Sequence, residues 1–266
     1  MPLLMFMNDM PIWIVAVAVT AAAEIFSVGL MLIARYAYGV SRLSLNNEVA
    51  GFKFAVVGVF YAVLLAFVVV AVWETYTDTD GAVRDEAKAI VDLQLVIHAL
   101  PLDGGAEISK GLIAYAEDVP THEWPAMALG RASPVITKDL RKLSTAILAL
   151  EPESHRDLAL YQDALRLVTE IADNRIERLE SANGSVPVIL WIVLVLGGGI
   201  TLGYPAFFAS SNLGAQVLMT ASLAALVAMS LVLALAFDFP FTGNPHISFL
   251  PFEEALENMP ESSPPL

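Results

Sequence analysis

The sequence predicts an all-α membrane protein with four transmembrane helices and an extramembrane helical domain between the second and third. Of its 266 residues, 57% are hydrophobic and only 16% are charged, whereas soluble globular domains carry about 25% charged residues. The apolar residues are also collected into long runs, and a bilayer core of about 30 Å is spanned by ~20 helical residues. Composition and run length together therefore favour a multi-pass membrane protein.

Four segments have the length and apolarity of a span. The first is interrupted by one charged residue, Glu24, and the second by none. The stretch 181–237 contains no Asp, Glu, Lys or Arg, so it holds two spans joined by a polar hairpin at 210–214. The predicted spans are 12–34, 54–73, 187–208 and 216–237.

The polar segment 74–184 is predicted to be entirely helical. It contains 20 acidic and 11 basic residues, a net charge of −9. Its last helix carries apolar residues at helical spacing, which predicts either packing within the chain or a seam between subunits, with Arg175 interrupting the pattern. These apolar residues are Leu158, Tyr161, Leu165, Val168, Ala172 and Leu179. The predicted domains are 1–73, 74–184, 185–237 and 238–266, with the last residues expected to be disordered.

Several function classes are not expected. Cysteine is absent, which excludes disulfides and thiol chemistry. A formal net charge of −14 argues against a nucleic-acid partner, because phosphate binding needs clustered Lys and Arg. The four histidines show no metal-ligand spacing, and no catalytic arrangement has supporting context. We expect no enzyme activity, no cofactor and no metal. The histidines are His98, His122, His155 and His246.

The second span is predicted to continue beyond residue 73, because no helix breaker precedes Pro101 and Gly81 is the only weak point. At 100° per residue, one face is apolar and aromatic within the span and acidic beyond it. This face could be ordinary packing followed by a solvated surface, or it could line a permeation path with a neck and carboxylate rings. The predicted neck is Val56, Phe60, Val63, Leu64 and Phe67, and the predicted acidic vestibule is Glu74, Asp78, Asp85 and Asp92.

Glu24 lies in the middle of the first span, where a charge is unfavourable and needs a partner or water. We expect a polar contact between helices there. A protonated carboxyl bonded to a Ser or Thr of a neighbouring span, and a role in a pore or proton path, are the alternatives.

Five blocks of sequence resemble the signature of the bacterial bestrophin-like family, long catalogued as a domain of unknown function. Two lie at the second span, namely Asn-Glu-Val-Ala-Gly-Phe at 47–52 and the apolar run 56–69. Val-Trp-Glu-x-Tyr at 72–76, Glu-Trp-Pro-Ala-Met at 123–127 and Asp-Phe-Pro-Phe-Thr-Gly at 238–243 complete the set.

The resemblance implies kinship with bestrophins, which are homopentameric ion channels with four transmembrane helices per subunit. Their second helix lines the pore and carries an aromatic neck, which Phe60 and Phe67 would supply here. A turn after the fourth helix corresponds to Asp238, Pro240, Phe241 and Gly243. No acidic run follows this turn, so the calcium clasp of animal bestrophins is not expected.

These observations lead to one function and two alternatives. We expect a homo-oligomeric channel, a pentamer by resemblance, in the inner cell membrane, whose partners are lipid, its own copies and inorganic ions. Acidic rings favour cations over anions. The runner-up is a non-conducting membrane protein with a sensory or partner-binding helical domain. A secondary transporter is less favoured, because no inverted repeat stands out. Basic residues flank both sides of the spans, so charge leaves the orientation open.

Overall fold

The computed structural model describes residues 10–100 and 103–259, and within these ranges every regular element is helical. A π-helical turn, Val119–Glu123, leads into α5, and a 3₁₀ turn, Tyr204–Phe207, follows α8. The α-helices are α1 Ile12–Tyr38, α2 Val40–Ser44, α3 Asn47–Ala99, α4 Gly105–Asp118, α5 Trp124–Met127, α6 Pro134–Leu148, α7 His155–Ser181, α8 Val188–Gly203, α9 Leu213–Asp238 and α10 Leu250–Asn258.

The second span is part of one uninterrupted helix. α3 runs for 53 residues, which confirms the prediction that no break follows residue 73. Gly81 lies inside this helix without a positive φ, because a single glycine lowers helix stability by only about 1 kcal/mol relative to Ala.

The first compact unit comprises residues up to Thr75 together with Ser185–Pro245. Four helices of the described chain are long and apolar enough to cross a membrane, namely α1, α3, α8 with its 3₁₀ turn, and α9. The number of predicted spans is thus confirmed. The last span begins at Leu213 rather than 216, because Asn212 caps it by accepting a hydrogen bond from the backbone N–H of Ala215 at 3.1 Å.

A close approach holds the second and third spans together in the core of this unit. Tyr61 of α3 packs on the Gly-Gly-Gly segment of α8. A Cβ atom added at Gly197 would lie 2.9 Å from Cδ2 of that ring, and one added at Gly198 would lie 2.9 Å from its hydroxyl oxygen. Small residues allow such contact between membrane helices.

Polar side chains fasten the ends of these spans. The Ser27 hydroxyl of α1 donates to the Leu202 carbonyl of α8 at 2.6 Å, a polar contact between spans that the sequence analysis did not predict. The Asn47 side chain forms two hydrogen bonds with the backbone of Ala209. Its amide group donates to the carbonyl at 2.8 Å, and its oxygen accepts from the N–H at 3.1 Å. The block at 47–52 therefore supplies a clamp, by which we mean side-chain hydrogen bonds that hold two segments of backbone together.

The second compact unit comprises Tyr76–Gly184 and the residues from His246 onward. Its core is formed by apolar side chains from α3, α4, α6, α7 and α10, including Leu93, Leu112, Ile147, Ile171 and Phe252. Ser154 and Asp157 form a reciprocal capping box at the start of α7. The tail predicted to be disordered begins at about Asn258, which is the last residue of α10, and from 260 onward it lies outside the described residues.

The buried face of α7 is rotated from the face predicted from its apolar residues but overlaps with it. Of the six predicted positions Val168 is buried, Leu158 is exposed and the other four are half-buried. The buried face also contains Ala164, Leu167, Ile171, Arg175 and Arg178. Arg175 was taken as an interruption, yet it belongs to the buried face, because carboxylates inside the unit pair with both arginines.

Candidate functional site

The predicted neck residues form a largely exposed surface on α3. Phe60 and Phe67 expose 75% and 72% of their surface, and Val56 and Val63 are also exposed. Leu64 departs from this pattern, since it is half-buried against the core of the first unit. Seven residues of helix rise about 10 Å, so the two phenylalanines lie two turns apart on one side.

The opposite face of α3 is buried, and this leaves the face with the two phenylalanines exposed. Tyr61, Leu65, Val68 and Val72 are each no more than 7% exposed. Their spacing of three and four residues places them on one face of the helix. The aromatic surface on the other face is therefore available to lipid, to a second copy or to a pore.

Three of the four predicted vestibule carboxylates are exposed and lack a basic partner. Glu74, Asp78 and Asp85 are exposed, and no ion pair of the described residues involves them. Asp92 differs, because Lys88 Nζ lies 2.9 Å from its Oδ2. The predicted set of four thus contains three uncompensated charges and one neutralised charge.

The basic residues beside this acidic face are engaged on the helix itself. Arg84 pairs with Asp80 at 3.0 Å, one turn earlier, and Lys88 pairs with Asp92. Because α3 is continuous through Gly81, successive residues keep a spacing of about 100°, which places Lys88 about 80° around the helix from Asp78 and about 60° from Asp85.

Glu24 is half-exposed on α1. The hydrogen bond to a Ser or Thr of a neighbouring span is not formed within the described protomer, where Glu24 has no hydrogen bond or ion pair. A hydrogen-bond partner for its carboxyl group would therefore have to be water or a second copy of the chain.

The turn after the last span is held by Asp238. One oxygen of this buried carboxylate accepts from the backbone N–H groups of Ser185 and Val186, both at 2.8 Å, and the other accepts from Trp191 Nε1 at 3.0 Å. These bonds tie the end of α9 to the start of α8. Pro240 and Phe241 are buried, and Gly243 has a φ of 71°, a left-handed conformation that suits glycine. The structure thus gives Asp238 a fastening role.

A buried ionic network in the second unit was missed by the sequence analysis. Arg178 of α7 is fully buried and grips Glu86 of α3 with two hydrogen bonds, Nε to Oε2 at 2.8 Å and Nη2 to Oε1 at 2.9 Å. Its Nη2 also donates to Glu123 at 2.9 Å. Arg175 donates to both oxygens of Glu123, and the Tyr115 hydroxyl donates to Glu86 at 2.7 Å.

The charges of this network balance. Burial opposes the charged form of Arg178, but the neighbouring Glu86 and Glu123 raise the pKa of its guanidinium. Burial, followed by the charge of Glu86, raises the pKa of the Tyr115 hydroxyl well above its usual value of about 10. The network therefore contains two cations, two anions and a neutral phenol, which is what a buried ionic cluster requires.

Aromatic rings complete the enclosure of Arg178. Its guanidinium carbon lies 5.1 Å from the ring centre of Trp124 and 5.7 Å from that of Phe252, and Met127 sulfur accepts from Nη1 at 3.2 Å. Glu123, Trp124 and Met127 all belong to the block 123–127. The signal that could have revealed the network is this block together with two arginines three residues apart.

Three of the sequence blocks contain residues that fasten contacts within a unit, namely Asn47 and Asp238 in the first unit and Glu123 in the second. A family model described as the Bestrophin-like domain matches residues 21–252. The chain belongs to the Bestrophin-like family. The resemblance stated from the sequence is thereby confirmed, and the clamps of Asn47, Glu123 and Asp238 lie within the matched region. Among curated proteins, none matches this bestrophin-like chain significantly.

Solved structures share the fold. A crystal structure of a bacterial bestrophin homologue from Klebsiella pneumoniae aligns with a TM-score of 0.66 at 15% identity, covering 90% of this chain and 96% of the homologue. A point variant of that homologue gives a TM-score of 0.68 at 14% identity, with 91% and 96% covered. At such identities the likeness establishes the fold.

Proposed function

We propose that this bestrophin-like chain assembles into a homo-oligomeric ion channel, a pentamer, with α3 lining a central pore and the second unit forming an acidic vestibule outside the membrane. The observation that carries the proposal is the exposed face of α3, which passes from Phe60 and Phe67 to Glu74, Asp78 and Asp85 along one unbroken helix. Kinship with bestrophins supports an oligomer around a central axis.

The exposure of Phe60 and Phe67 supports their assignment to the neck of a pore. An exposed phenylalanine on a membrane helix can face lipid, but a lipid-facing surface gives no reason for carboxylates in line with it. Repeated around an axis, Phe60 and Phe67 would form two apolar rings about 10 Å apart. Apolar constrictions of this kind gate ion flow by losing water.

The acidic rings favour cations. Glu74, Asp78 and Asp85 have no basic partner in the described protomer, so each ring would present its full charge. Arg84 and Lys88, the residues that could favour anions, are paired with Asp80 and Asp92. Rings of Asp or Glu attract cations and repel anions, and the field is strongest in a narrow mouth with low-dielectric walls.

Two measurements test the proposal. Mass measurement of the purified protein in detergent should give a closed oligomer, since a monomer has no central axis. Potassium flux into liposomes carrying the protein should exceed flux into empty liposomes. A stable oligomer without flux would instead support a non-conducting, partner-binding membrane protein.

A further inference from the structure

An apolar groove opens on the side of the first unit, at the end of the spans where α1 meets α2. Its volume is about 570 Å³. The walls come from α1, α2, the end of α8 and the 3₁₀ turn, and they include Ile33, Ala37, Leu43, Ile200, Tyr204 and Phe207. An open groove on a membrane-spanning unit faces acyl chains, which match its lining.

Three cations lie next in sequence to residues of the groove wall or to a residue that packs on the wall. Arg42 adjoins Leu43 in the groove wall, and Lys53 adjoins Phe54, whose ring centre is 5.6 Å from that of Tyr204. Arg35 uses one nitrogen, Nη1, for Ser210 and Gln216.

These cations lack counter-charges. No ion pair of the described residues involves Arg35, Arg42 or Lys53. The segment 35–53 has three basic residues and one acidic residue, Glu48, a net charge of +2 in a chain whose net charge is −14. The groove thus has a cationic end that an anion would complement.

The aromatic residues indicate the depth of this end. Tyr36 and Tyr38 expose 95% and 62% of their surface, and Phe207 exposes 57%. Exposed aromatic side chains at the ends of spans are typical of the lipid headgroup level. The groove therefore combines an apolar lining, exposed aromatic side chains and nearby cations, which match the acyl chain, the interface and the headgroup of a phospholipid.

We propose that this groove binds a phospholipid with an anionic headgroup, with one acyl chain in the groove and the headgroup at Arg42 and Lys53. The apolar lining matches an acyl chain and the net charge of +2 on segment 35–53 matches an anionic headgroup, so an anionic phospholipid is the favoured occupant. This site is independent of the proposed pore.

The test is lipid retention by the full chain in detergent, measured by native mass spectrometry. The probes are dioleoyl phosphatidylglycerol and dioleoyl phosphatidylcholine, which share acyl chains and differ in headgroup charge. The parent protein should retain phosphatidylglycerol more strongly. Near a membrane surface one cation changes affinity by about fivefold, so Arg42→Gln with Lys53→Gln should weaken phosphatidylglycerol retention by about 25-fold and leave phosphatidylcholine unchanged.

Two further variants separate charge, groove and assembly. Lys110→Gln removes an exposed, unpaired cation from the second unit and should retain the parent's lipid preference. Ala37→Trp fills the groove and should weaken retention of both lipids. Equal retention of the two lipids by the parent would overturn the proposal without any variant. So would an Ala37→Trp protein that loses its oligomeric mass but keeps its lipid, since the groove would then hold a second copy.

Discussion

Arg178 offers the sharpest test of how the second unit is held together. Replacing it by Met keeps an unbranched side chain but removes the guanidinium. Glu86 would then lose both of its charged hydrogen bonds and keep the one from Tyr115, while Glu123 would still be paired with Arg175. The substitution thus creates one uncompensated buried carboxylate rather than two.

The expected loss of stability is large because the ion pair between Arg178 and Glu86 is buried. Arg178 and Glu86 are both fully buried, and breaking such a pair by removing one partner destabilises a protein by about 3–5 kcal/mol. Loss of the contacts with Trp124 and Phe252 adds about 0.5–2 kcal/mol. For a chain of this size each kcal/mol lowers the unfolding midpoint by about 2–4 °C. We therefore expect Arg178→Met to lower it by about 10 °C or more.

Thermal unfolding of the full chain in detergent, followed by tryptophan fluorescence, measures this effect. Trp124, one of the four tryptophans, lies against the guanidinium and contributes to the signal. Arg166→Met is the matched control, because its pairs with Asp163 and Glu170 are exposed and solvent-screened. Adding Glu86→Gln to Arg178→Met should recover part of the loss. A loss no greater than in the control, or no recovery, would refute the reasoning.

Three further predictions concern packing, pH and the neck. Gly197→Ala should lower the unfolding midpoint in detergent because its Cβ would lie 2.9 Å from the Tyr61 ring, whereas Gly199→Ala, with nothing within 4 Å, should leave it unchanged; equal midpoints would contradict the close approach. The raised pKa of Tyr115 stabilises the fold below pH about 10, where the phenol is neutral in both states, and that stability is lost as pH rises further. Tyr115→Phe should therefore show a shallower alkaline decline of the unfolding midpoint than the parent, and Tyr161→Phe should keep the parent's slope. Replacing either neck phenylalanine by Ala should raise conductance in bilayer recordings with oligomeric mass unchanged, and two variants that conduct like the parent would place the neck elsewhere.

The sequence was sufficient for the spans and for the long helix, because bilayer thickness and helix geometry translate directly into runs of apolar residues. The ends of the helices were harder to predict, because the start of α9 depends on the cap at Asn212.

The buried network could not be derived from patterning. Hydrophobic periodicity treats Arg175, Arg178 and Glu86 as surface residues, yet they are buried because they neutralise one another across long sequence separations. The face of α7 was predicted only in part for the same reason. The role of Asp238 depends on donors that come from the start of α8, a contact that no local pattern records.

The most direct test of the central claim is the reversal potential of the reconstituted protein under a potassium chloride gradient. The proposed channel predicts a value near the potassium equilibrium potential, because Glu74, Asp78 and Asp85 are exposed and form no ion pair among the described residues. Glu74→Gln with Asp78→Asn should move the value toward zero, and Lys110→Gln should not. A parent value near the chloride equilibrium potential would contradict the account.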